Sequence, residues 1–67
     1  MHLRSVGRKK VADLDEGDWI YCGGMNPSWL EVAEVMAGVT IRIQLRCGWV
    51  AEYPRTAVVD VCREEMD

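Results

Sequence analysis

The chain has 67 residues, room for one small hydrophobic core and not for two. With 49% apolar and 28% charged residues it is too hydrophobic for a disordered tail and too evenly mixed for a membrane span. The net charge of −3 conceals a split, because residues 1–10 carry Arg4, Arg8, Lys9 and Lys10 and no acid, while the remainder sets four arginines against all 11 acids. That acidity argues against a body that is itself a broad phosphate-binding surface.

Residues 1–10 lack the apolar centre of a signal peptide and read as a flexible basic arm. Leu14-Asp15-Glu16-Gly17 is a turn that delivers the chain into a β-rich segment, Asp18-Trp19-Ile20-Tyr21-Cys22. A glycine-rich loop, Cys22 to Pro27, leads to Trp29–Met36, where alternation at Leu30 and Val32 slips before Val35. A helical turn competes there, but a strand with a β-bulge near Ala33-Glu34 returns both valines to one face. Ala37-Gly38 then makes a hairpin into Val39–Arg46, the cleanest alternation in the chain, with Val39, Ile41, Ile43 and Leu45 inward. Cys47-Gly48 turns the chain into Trp49–Tyr53, Pro54–Ala57 is a turn or a single 3₁₀ turn, and Val58–Cys62 is a last strand. Residues 64–67 read as a frayed acidic tail.

Five short strands in residues 11–63 predict an all-β fold, a small, strongly bent barrel whose closure removes its edges. Its expected core is Leu14, Ile20, Cys22, Leu30, Val32, Val35, Val39, Ile41, Ile43, Leu45, Val50, Val59 and Val61. Cys22, Cys47 and Cys62 are odd in number and lack a Cys-x-x-Cys pair, a poor disulfide framework and a poor zinc motif. Cys22 is expected inside and the other two thiols near the surface. Asp13, Asp15, Glu16 and Asp18 lack the spacing of a calcium loop and read as a solvated acidic turn. No metal, cofactor or membrane is implied, and with one histidine, His2, and no phosphate-binding glycine motif, neither is catalysis. A reducing cytoplasm is the expected location.

The series Leu14-x-x-Gly17-Asp18-Trp19-Ile20, the glycine-rich loop, Trp29-x-x-Val32-x-x-Val35, the alternating strand, Gly48, Tyr53-Pro54 and Val59-x-Val61 resembles the Src-homology-3-like barrels, among them Tudor and KOW-type modules. It is also similar to short uncharacterised proteins of actinobacteria and their phages that share a Leu-x-x-Gly-Asp opening. The resemblance implies a binding module without cofactor or catalysis, and in its phage form one acting on a host machine in the host cytoplasm. A Tudor relative would cage a methylated side chain, whereas a KOW relative would bind RNA or a transcription or ribosomal partner. The chain has no Phe and an acidic body, so neither pattern is complete.

The candidate partner surface is aromatic: Trp19, Tyr21, Trp29, Trp49 and Tyr53, edged by the outward Arg42 and Arg46. The competing role for any one ring is to plug a barrel end. The expected function is an adaptor or inhibitor that engages a protein. A nucleic-acid barrel would instead use Arg4, Arg8, Lys9 and Lys10 with the outward arginines, and a self-assembling subunit, a homo-oligomer, would use its edge strands.

Overall fold

Alternating residues and frequent turn formers leave the backbone little choice but strands. The computed structural model describes residues 2–23 and 28–65. In it β1 (His2–Lys10), β2 (Asp18–Cys22), β3 (Ser28–Ala37), β4 (Ile41–Leu45), β5 (Val50–Tyr53) and β6 (Val58–Glu65) form one antiparallel sheet, ordered β1-β6-β2-β3-β4-β5. Residues Val11–Asp13 make a 3₁₀ turn between β1 and β2.

The arm expected over residues 1–10 is, from His2 onward, a paired edge strand. Lys10 stands opposite Val58 and His2 opposite Glu65, so Glu64 and Glu65, expected to fray, are also in the ladder. An edge strand needs no apolar face if its backbone bonds and charges are matched, so composition alone cannot distinguish it from a solvated arm. The described residues therefore form six strands rather than five. No ladder joins β1 to β5 among the described residues, so the sheet bends without the closure expected of the barrel.

The bend lies in β3. Its first residues pair with β2 and its later ones with β4, and the register slips between Val32 and Glu34, the position expected for a bulge. Val32 then faces Leu45 and Val35 faces Ile43 across the ladder, which keeps both valines toward the core despite their odd spacing. At the entrance to β2, Gly17 adopts φ +92° and donates its N–H to the Val32 carbonyl at 3.0 Å. A side chain at that backbone angle would be strained.

Val11, Leu14, Ile20, Val32, Ile41, Ile43, Leu45 and Val61 form the buried cluster, with Cys22, Leu30, Val35 and Val59 half-buried against it. Two expected core residues lie outside. Val39 is 96% exposed, because Gly38 donates to the Thr40 carbonyl and the turn delays β4 until Ile41. Val50 is 53% exposed, because the Leu45 N–H bonds the Trp49 carbonyl at 2.7 Å and sets a register in which Ala51 and Tyr53 face inward. In the other direction, Val11, absent from the expected core, donates its N–H to the Ala57 carbonyl at 3.0 Å and has a fully buried side chain. Cys62, expected near the surface, is buried because β6 is an interior strand, with Ser5 of β1 on one side and Trp19 of β2 on the other.

Candidate partner-binding surface

Alternation about the inward Ile20 turns Trp19 and Tyr21 to the opposite face of β2, and there they diverge. Tyr21 is exposed and meets Trp29, its partner across the β2–β3 ladder, edge to face at 5.4 Å and 65°. Trp19 lies between Cys62 and Glu31 in register and is half-buried, its Nε1 enclosed without an acceptor among the described residues. Tyr53 turns inward against the core, whereas Trp49, just outside β5, is 70% exposed. The five rings therefore do not form one platform. Trp49 stands free, Tyr21 and Trp29 make a pair, and Trp19 and Tyr53 act mainly as cover.

The Arg46 N–H donates to the Glu31 carbonyl at 2.8 Å, and Trp29 lies two residues before Glu31, toward the start of β3. The turn that carries Trp49 thus emerges at the same end of the sheet as the Tyr21–Trp29 pair. At the other end, Met36, Val39, Thr40, Arg42 and Glu52 line an open hollow beside the β3–β4 turn.

Both outward arginines are exposed, and each has an acidic partner. Arg46 Nη2 lies 3.3 Å from Glu31 Oε2, and Arg42 Nε lies 3.3 Å from Glu52 Oε2. The Thr40 hydroxyl also donates to Glu52 Oε2 at 2.6 Å. That hydroxyl first, and Arg42 second, hold the Glu52 carboxyl below its usual range. Of the four N-terminal cations, Arg8 contacts Asp60 at 3.3 Å, and Lys9 contacts Asp18 at 3.1 Å and Asp15 at 3.6 Å. Arg4 stands opposite Arg63, and Lys10 opposite Val58.

Asp18 departs most from the sequence reading. Expected in a solvated acidic turn, it is wholly buried. Its Oδ2 accepts the Lys9 ammonium and the Asp15 N–H, the latter at 2.9 Å. Arg63 Nη1 lies 3.2 Å from Oδ1, within ion-pair range but off the hydrogen-bond line, so Oδ1 accepts no hydrogen bond among the described residues. The available sequence signal was position: Asp18 shares the inward face of β2 with Ile20.

Burial pushes the Cys22 thiol up, against the opposing effect of the Tyr53 hydroxyl beside it, and burial likewise pushes the Tyr53 phenol up. Cys47 is exposed in the β4–β5 turn. Among the described residues no three His, Cys, Asp or Glu side chains gather as a metal site, and no helix is long and apolar enough to cross a membrane. Comparison with known proteins returns no matching family model, no matching curated protein and no matching solved structure.

Proposed function

We propose that this chain is a non-enzymatic binding module that engages a protein through the β4–β5 turn and the free edge of β5, with Trp49 as the anchor. The observation that carries the reading is Trp49 at 70% exposure beside Val50 at 53%, on an edge strand only four residues long. An aromatic anchor next to strand N–H and C=O groups that no other described strand pairs suits a partner that adds an extended segment. The Tyr21–Trp29 pair at the same end enlarges the apolar area, and Arg46 with Glu31 supplies a charged rim.

The fold belongs to the same proposal. Strands β2 to β6 without β1 run in the order β6-β2-β3-β4-β5, a meander of four strands to which the last returns beside the first. That order and the bulged β3 support an Src-homology-3-like body with one strand added at its edge. The nucleic-acid alternative is less well supported, because Arg8, Lys9, Arg42 and Arg46 are each engaged by a carboxylate.

The test is affinity capture from the source cell with the wild-type chain and Trp49→Ala, followed by binding measurements on the partner identified. Trp49→Ala should weaken that binding by about 2 kcal/mol or more at an unchanged melting temperature. Equal binding by both chains would refute the reading.

A further inference from the structure

Strand β1 is held to the sheet almost entirely by polar forces. Of its nine residues only Leu3 and Lys9 are half-buried, and none is buried. What it contributes is a backbone ladder and the ion pairs of two side chains, Arg8 with Asp60 and Lys9 with Asp18 and Asp15. A strand without an apolar face sits at the low end of local stability, and the exposed Arg8–Asp60 pair weakens with salt, which leaves the contact of Lys9 with the buried Asp18 as its latch.

The strand beneath it is net acidic, with three carboxylates against Arg63, which stands opposite Arg4. Asp60, Glu64 and Glu65 line the β6 edge, and Asp18 sits buried at the base with one oxygen still accepting no hydrogen bond. The pattern is specific as well as acidic. Gly7 follows a bulge at Val6 with φ +93°, Arg8 projects outward to Asp60, and Lys9 projects inward to Asp18. An extended segment with cations on both faces at adjacent positions fits this track, and a neutral or acidic one does not.

We infer that the β6 edge is an acceptor slot for a lysine- and arginine-rich extended segment of a partner protein, and that β1 is its resident occupant, displaced when the partner binds. This surface is separate from the Trp49 edge, since β1 and β5 lie at opposite ends of the strand order. It makes the chain self-blocking, because a competing strand must exceed the local concentration of β1. Loosening β1 should therefore raise affinity for a segment supplied in trans.

The probe is a fluorescein-labelled peptide with the sequence of residues 2–10, titrated into the full-length wild-type chain and the full-length Lys9→Ala chain. Amide exchange and backbone NMR shifts are followed in parallel. Lys9→Ala should take up the peptide at least tenfold more tightly than wild type, with shifts at Arg63, Glu64 and Glu65 and an affinity that falls as salt rises. A peptide carrying Ala in place of its own Lys9 should bind more weakly. If Lys9→Ala does not fold, Arg8→Glu, which sets two carboxylates against each other at an exposed site, replaces it. Failure of the loosened chain to bind the peptide would overturn the proposal, showing β1 to be a permanent strand if residues 2–10 exchange as slowly as Ile41–Leu45, or the β6 edge to be an open one that accepts no such segment if they exchange quickly. So would a dimer in which residues 2–10 of one copy pair with residues 58–65 of another, since the occupant would then be a second copy.

Discussion

Strand β1 at one edge of the sheet runs nine residues, carries four cations and is broken by a bulge at Val6, while β5 at the other runs four residues and leaves Trp49 and Val50 in water. A long edge is defended by charge and a bulge, whereas a four-residue edge is defended mainly by its shortness, which limits strand pairing but leaves its apolar side chains exposed. The contrast teaches that the strand is protected where the chain is polar and left open where it is sticky. The proposed roles follow this contrast, apolar recognition at the β5 side and recognition of charge at the β1–β6 side.

The largest expected effect breaks the support of the β5 edge. Ile43 is fully buried and stands between Val35 of β3 and Ala51 of β5. Ile43→Asp buries an unpaired carboxylate and should cost several kcal/mol, enough to unfold so small a domain, whereas Arg42→Asp one residue away should be mild. Circular dichroism melts of the two chains check this, and a native-like melt for Ile43→Asp would mean that the inward face is misassigned.

Next comes the latch of the β1 side. Asp18→Ala removes a wholly buried carboxylate that joins β1, β2 and β6 through Lys9 and Arg63. Because both partners keep some exposure, the cost should be about 2–3 kcal/mol rather than the larger penalty of a fully buried pair, a fall of at least roughly 10 °C in Tm. Amide exchange should quicken first in residues 2–10. A uniform change across all six strands would erase the distinction between the two edges.

Raising the pH probes the side where Cys22 of β2 and Tyr53 of β5 approach each other. Both groups hold their protons more tightly when folded than when unfolded, mainly because burial disfavours their anions. The folded state therefore binds more protons, and stability should fall as pH rises through the ordinary thiol and phenol values of 9.0 and 10.0. Tyr53→Phe should remove the upper part of that loss. Thermal melts from pH 7 to 11 read it directly, and a flat profile would separate these two side chains.

Smallest of all should be the thermal effect of Trp49→Ala. A ring this exposed contributes little to the core, so Tm should stay within about 3 °C of wild type while binding of the proposed partner weakens. A large drop would make Trp49 a structural plug and turn the β5 edge into a closed one.

What the sequence determined by itself was whatever depends on neighbours along the chain. Ile41, Ile43 and Leu45 alternate with polar residues and are buried, the slip between Val32 and Val35 marks the bulge, and Gly17 marks the turn into β2. Among the candidate site residues, the outward direction of Tyr21, Arg42 and Arg46 was legible for the same reason. The tertiary structure alone decided what depends on a partner strand distant in sequence. Residues 2–10 become a strand only because β6 offers a ladder and matching acids, and Cys62 is buried only because that strand then flanks it. Asp18 becomes the centre of an ionic clasp only when Lys9 and Arg63 arrive from two other strands. Trp49 and Tyr53, which alternation alone would put on one face, part company because β5 begins only at Val50: the Leu45 N–H to Trp49 carbonyl bond leaves the Trp49 ring in the turn, while Tyr53 lies inward opposite Ile41, and where a strand begins is fixed by its pairing with a neighbour rather than by its own periodicity.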